Sequence, residues 1–149
     1  VDERLIKTVC EIDYPKDKME IQVLDDSTDE TTSIVAKAVE EKKKEGFDIL
    51  HIRRGTREGY KAGALKEGMK IAKGEYIAIF DADFIPQKEF LQKTLSYFTD
   101  EKVGMVQSRW EHLNGDYSII TKAQALALDG HFVIEQTVRN RSEFFINFN

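Results

Sequence analysis

The sequence predicts an α/β fold built on a largely parallel sheet, and three observations carry that prediction. Short β-branched or aromatic runs alternate with helical patterns along the chain. The run Tyr76-Ile77-Ala78-Ile79-Phe80 is apolar without interruption, as a strand buried on both faces of a parallel sheet reads. Two of the runs stop abruptly at acids, Asp25-Asp26 and Asp81-Ala82-Asp83. In open α/β sheets ligands sit outside the carboxyl ends of the strands.

Taken in order, Asp2 is placed to cap a short helix with Leu5, Ile6, Val9 and Ile12 on one face. Tyr14-Pro15 ends it. Glu20 to Leu24 reads as a strand that runs into Asp25 and Asp26. Ser27 or Thr28 is the expected cap of the next helix, with Asp29 and Glu30 in its first turn. Ile34, Val35, Ala38 and Val39 point inward, Glu40 to Glu45 form a solvated face, and Gly46 stops the helix. Asp48 to Arg53 is the next strand. His51 alternates to the side opposite Leu50 and Ile52, where it is either a ligand or, more commonly for a lone strand histidine, partly buried structure.

A polar loop follows, with glycines at 55 and 59 and arginines at 53, 54 and 57. Lys61-Ala62-Gly63-Ala64-Leu65 opens a helix of small residues ending near Ala72-Lys73-Gly74, suited to close approach against a sheet or ligand. The acid-tipped strand comes next. After Pro86 a helix carries Phe90, Leu91, Leu95 and Phe98. Val103 to Ser108 reads as a strand, Asn114-Gly115-Asp116 as a turn, and 117–138 as a long helix bearing Ile120, Ala123, Leu126 and Phe132. Phe144 to Asn149 reads as a strand cut short. No repeat or linker divides the chain, so one domain is expected.

Bulk properties exclude several classes. The chain has 149 residues, 41% hydrophobic and 33% charged, an ordinary globular mix. A net charge of -5 leaves no broad basic face for nucleic acid or anionic lipid. The single cysteine, Cys10, rules out an intrachain disulfide framework and suits a small buried hydrophobe in a reducing compartment. No run approaches the ~20 apolar residues of a membrane span. The chain lacks a starting Met and stops mid-pattern, so it is expected to be a soluble piece of a longer protein.

The chemistry lies in three polar clusters: Asp25-Asp26, Arg57 to Lys61, and Asp81-Ala82-Asp83. In a parallel sheet the carboxyl ends share one edge, so these clusters should converge. Paired acids there repel one another unless a cation intervenes. A hard divalent ion takes carboxylate oxygens and keeps positions open for substrate phosphates. Acids of the first cluster can accept hydrogen bonds from a base or ribose, and Lys61 near a helix N-terminus adds a point charge. Together these predict binding of a nucleoside diphosphate.

The motifs Val23-Leu24-Asp25-Asp26-Ser27-Thr28-Asp29, Lys61-Ala62-Gly63-Ala64-Leu65 and Phe80-Asp81-Ala82-Asp83 resemble the family 2 glycosyltransferases with the GT-A fold. Met105 to Trp110, Leu128 to Gln136 and Phe144 to Asn149 narrow the resemblance to the cellulose-synthase-like processive enzymes, nearest the mannan and glucan synthase branch. It covers nearly the whole chain. It implies that Asp25 and Asp26 contact the nucleoside of a UDP- or GDP-linked sugar, with Lys61 near base and diphosphate. It implies Asp81 on the ribose or sugar side, and Asp83, with Asp81, holding Mg²⁺ or Mn²⁺. Gln107, Arg109 and Trp110 would lie where donor sugar meets acceptor, flanked by His131, Glu135 and Gln136. The implied reaction is inverting, metal-dependent transfer of a hexose to a growing β-glycan, on the cytoplasmic face of a membrane reached through flanking segments.

The departures from the family pattern are also definite. The family pattern places a strand before the Leu5 helix, which this piece is expected to lack, and its general base and a Gln-x-x-Arg-Trp type motif are expected beyond Asn149. The piece alone is therefore expected to be inactive, with no catalytic base of its own, and to bind nucleotide weakly. Its unpaired sheet edges are expected to pair with another chain, shift, or aggregate. Two alternatives compete. A non-catalytic nucleotide-sugar-binding module would keep the donor residues without turnover. A haloacid-dehalogenase-type phosphatase also uses Asp-x-Asp, but normally on its opening strand; here Asp81 is mid-chain and Phe84 follows Asp83.

Overall fold

A computed structural model of the chain describes residues 3–109, 111–142 and 144. The chain separates into two compact units, Val1–Gly104 and Met105–Asn149.

The first unit is helices packed on a parallel strand pair. Helix α1, Glu3–Cys10, buries Leu5, Ile6 and Cys10. Asp2, the expected cap, lies outside the described residues. Strand β1, Glu20–Leu24, pairs in parallel with β2, Asp48–Ile52, in a register that sets Ile21 beside Ile49 and Val23 beside His51. Helix α2, Thr31–Lys44, crosses between them. The period-two alternation of β1 puts Ile21 and Val23 on the face that meets α1 and α2. There they join Ile6, Cys10, Val35, Ala38, Val39, Phe47 and Ile49 in one core. Burial pushes the Cys10 thiol up to about 11, so it sits there as an inert hydrophobe.

The ends of α2 show where local rules hold and where they yield. At its C-terminus Gly46 takes φ +88°. The Gly46 N–H donates to the Lys43 carbonyl and the Phe47 N–H to the Lys42 carbonyl, closing a Schellman motif as glycine at this position predicts. At the N-terminus the cap moves. The helix begins at Thr31, whose N–H donates to Asp29 Oδ1 at 3.0 Å. Ser27 and Thr28 are not the cap, because Ser27 is held instead by Asp25 and Thr32. Ile34, expected inward, is 45% exposed.

Helix α3, Tyr60–Met69, packs on the other face of β1 and ends short of the expected Ala72. A Cβ at Gly68 would stand 3.1 Å from Leu24 Cδ2, so the small residue sets the helix–strand spacing. Helix α4, Phe90–Leu95, continues into a 3₁₀ turn at Ser96–Thr99. It is tied to the end of α1 by Gln92 Nε2, which donates to the Asp13 carbonyl and carboxylate at 3.0 Å.

Two expected strands are absent. Residues 76–83 have no ladder partner among the described residues, and Ile77 and Ile79 are each 53% exposed. The alternation survives on one side. Tyr76 meets the Phe98 ring at 5.0 Å and Phe80 meets Phe90 at 4.9 Å, so one face packs on α4 and its 3₁₀ extension. Among the described residues the other face and the backbone edges have no neighbouring strand, and without ladder hydrogen bonds an apolar run is not a strand. Val103 to Ser108 likewise has no ladder partner among the described residues.

The second unit centres on a continuous helix. Helix α5, Ile119–Asp129, starts with a capping box between Ser118 and Thr121. A π-helical segment, Gly130–Gln136, leads into α6, Thr137–Arg141. The long helix is where the pattern put it, and its apolar residues Ile120 and Leu126 are 72% and 73% exposed. Among the described residues no element of this unit covers that face. The expected C-terminal strand lies outside the described residues except for Phe144.

Candidate functional site: acids and cations at the carboxyl end of the strand pair

The parallel register decides which side chains meet. Leu24 stands beside Ile52, so Asp25 and Asp26 emerge next to Arg53 and Arg54. Asp25 continues the inward alternation of β1 and is 2% exposed. Its Oδ1 accepts the Ser27 N–H at 2.9 Å, and its Oδ2 is 2.9 Å from His51 Nε2. Burial alone would raise the Asp25 pKa, but the Ser27 and His51 hydrogen bonds outweigh it and hold the carboxyl below its ordinary value. Arg53 donates to the Ser27 carbonyl at 2.6 Å and lies 3.8 Å from Asp25 Oδ2.

Asp26 faces the opposite way, into the loop after β2. Arg54 grips it with two nitrogens, Nε to Oδ1 at 3.0 Å and Nη2 to Oδ2. The same guanidinium donates to the Glu58 carbonyl at 2.8 Å and to the Tyr60 carbonyl at 3.0 Å. Arg54 therefore fastens the end of β1 to the first turn of α3. The Arg54 hydrogen bond is the main reason the Asp26 carboxyl lies below its usual range, with Arg57 adding to it.

Both carboxyls have depressed folded-state pKa values. Their stabilisation is complete above the ordinary aspartate value of about 3.9 and is lost as pH falls below it. Asp26→Asn is expected to flatten the acid limb of a stability–pH curve below about pH 4 and leave its slope near neutrality unchanged, as read by urea melts.

The entry to α3 is tightly built. Gly59 has φ +69° and Tyr60 has φ +45°, unusual for a residue with a side chain. A Cβ on Gly63 would land on the Glu58 carbonyl and stand 2.6 Å from Arg54 Nη1. Lys61, on the first turn, forms an ion pair with Asp81 Oδ1. The path Asp26–Arg54–Tyr60–Lys61–Asp81 thus links all three clusters read from the sequence. Asp83 is exposed two residues further on.

The other expected site residues lie in the second unit. Arg109 pairs with Asp129 at 2.8 Å and Glu111 at 2.9 Å, and Gln107 is exposed. Trp110 lies outside the described residues. His131 Nδ1 is 2.9 Å from Glu135 Oε2, and Gln136 Nε2 is 3.2 Å from His131 Nε2. The π-helical segment makes that last contact, since five-residue spacing brings 131 and 136 onto one face.

The glycosyl transferase family 2 model matches residues 3–148. The chain belongs to that family. It is 42% identical over 149 residues to glucomannan 4-beta-mannosyltransferase 9 of Arabidopsis thaliana, an alignment covering 97% of this chain and 28% of that protein. It is also 42% identical to glucomannan 4-beta-mannosyltransferase 1 of Oryza sativa subsp. japonica, over 97% of this chain and 29% of the relative. The chain thus spans less than a third of the length of these curated relatives. As a member of family 2, its helices and small parallel sheet agree with part of a GT-A domain. No helix among the described residues is long and apolar enough to cross a membrane.

A metal cage made by protein alone is not found in this family 2 domain: among the described residues no three His, Cys, Asp or Glu side chains cluster to hold an ion. Asp81 and Asp83 offer hard oxygen donors only. That set fits a cation that takes most of its remaining ligands from water and a diphosphate, as Mg²⁺ does. The roles of two contributors are not legible in the sequence. Arg54 is one of three loop arginines, and only the β1–β2 register singles it out. His51 reads as a ligand or as partly buried structure, but nothing local points to its Asp25 partner, 26 residues away.

Proposed function

We propose that this chain carries the donor-binding part of an enzyme that transfers a hexose from a UDP- or GDP-linked sugar to a growing β-glycan with inversion. The observation that carries the proposal is the linked path from Asp26 through Arg54 and Lys61 to Asp81, which gathers acids and a lysine at one sheet edge. Asp26, with Asp25 behind it, takes the nucleoside. Lys61 supplies positive charge to the departing diphosphate, where a preorganised cation stabilises the charge that develops on bond cleavage. Asp81 and Asp83 would hold Mg²⁺ or Mn²⁺, which when bound acts as a Lewis acid on the diphosphate oxygens. Gln107, Arg109 and Trp110 serve the acceptor side. The names of the relatives favour mannose as the hexose. The base that deprotonates the acceptor hydroxyl belongs to another part of the whole protein, as does attachment to a membrane. The edges around 76–83, without a ladder partner among the described residues, favour association with another strand, in the same protein or a second copy.

Calorimetry on the full protein tests donor binding. GDP or UDP is expected to bind with Mn²⁺ present and to weaken at least tenfold when EDTA removes the metal, as expected where Asp81 and Asp83 would hold a cation that offsets the diphosphate charge. No heat with either nucleotide contradicts the proposal. Glycan elongation by the same protein separates an enzyme from a binding module.

A further inference from the structure

The turn that presents Asp26 is held from behind by β2. Asp25 is buried and both of its oxygens are engaged, one by the Ser27 N–H and the other by His51. The Ser27 carbonyl is held in turn by Arg53 and by the Thr32 hydroxyl at 3.2 Å. We infer that His51 is a positioning residue for the donor site: by bonding Asp25 Oδ2 it fixes the 25–27 turn and so sets where Asp26 faces. The inference rests on the nucleotide reading above and adds to it a residue that touches no ligand.

The physical argument is one of satisfaction. Asp25 is charged and inside, so each oxygen needs a donor. The register that places Val23 beside His51 puts the imidazole on the same face as Asp25, two residues on. His51 Nε2 is therefore the donor, and its ring is held nearly out of solvent, at 14% exposure. Without that donor the carboxylate turns outward or protonates. Either change reaches Asp26 directly, because the two acids are consecutive and the Ser27 amide bonds the same carboxylate. Arg53 makes no hydrogen bond there: its Nε stands 3.8 Å from Asp25 Oδ2 while its Nη2 donates to the Ser27 carbonyl.

Two variants of the full protein separate positioning from packing. In His51→Gln the side-chain amide reaches the place of Nε2 and can donate to Asp25. In His51→Asn the amide stops short, at the place of Nδ1. Both are polar and uncharged. Nucleotide affinity is read by calorimetry with GDP or UDP and Mn²⁺, and the Ser27 amide by hydrogen exchange. His51→Asn is expected to weaken nucleotide at least tenfold and to speed Ser27 exchange, while His51→Gln stays within about threefold, as loss of a hydrogen bond to a charged group predicts. Equal affinities in wild type and His51→Asn overturn the positioning role and leave the donor site standing. So does equal loss in both variants, or a fall in stability with no change in Kd. A wild-type protein that binds neither nucleotide overturns the donor-site reading and the positioning role with it.

Discussion

Gly63→Ala is expected to destabilise the first unit by about 2–3 kcal/mol, near the upper range for overpacking, and to weaken nucleotide binding at the same time. The added methyl would meet a backbone oxygen, that of Glu58, and the Arg54 guanidinium. A flexible side chain can move aside, but this carbonyl is fixed by the Arg54 hydrogen bond and by the α3 entry. That entry already holds Tyr60 at φ +45°, with little room to relax. The Gly63 N–H also donates to the Gly59 carbonyl at 2.9 Å, so moving one end of the turn moves the other. Arg54 and Lys61 would shift together, and with them the grip on Asp26 and Asp81. Urea melts and calorimetry measure the two effects. A Gly63→Ala protein with wild-type stability and affinity would mean that the loop is looser than the structure shows.

Lys61→Met is expected to lower kcat for hexose transfer by roughly a hundredfold while leaving stability nearly unchanged. Methionine keeps the apolar stem and removes only the charge. The Lys61–Asp81 pair is substantially exposed, and exposed pairs contribute little to folding. On the proposed function the ammonium group acts where charge accumulates, on the departing diphosphate. Steady-state kinetics on the full protein and a thermal melt decide between the two roles. A large fall in stability with kcat preserved would make Lys61 a structural partner of Asp81.

Local patterns made the first half of the fold legible. The β1 alternation at Ile21 and Val23, the α2 stripe at Val35, Ala38 and Val39, and the Gly46 stop all depend on residues near one another in sequence. The run at 76–80 misleads for a physical reason. Its composition states that it prefers an extended, packed form, and Tyr76 and Phe80 do pack. Whether it joins a ladder depends on a neighbour that its own residues do not specify. The apolar face of α5 is legible in the same limited sense: Ile120 and Leu126 mark a face without naming what covers it. The acids of the site were legible because carboxylates at strand ends need a reason to be there. Their partners were not. Arg54 and His51 reach Asp26 and Asp25 through the register of β1 on β2, across 28 and 26 residues of sequence.

On the proposed function a nucleoside diphosphate and a cation bind together at the carboxyl edge of the sheet, near Asp26, Lys61 and Asp83. Paramagnetic broadening of amide signals by Mn²⁺, added with GDP or UDP to isotope-labelled full protein, tests it most directly. The claim predicts that signals of residues 25–26, 61 and 81–83 broaden together, and only when nucleotide is present. Broadening at Asp81 and Asp83 with Asp26 and Lys61 left sharp would contradict it.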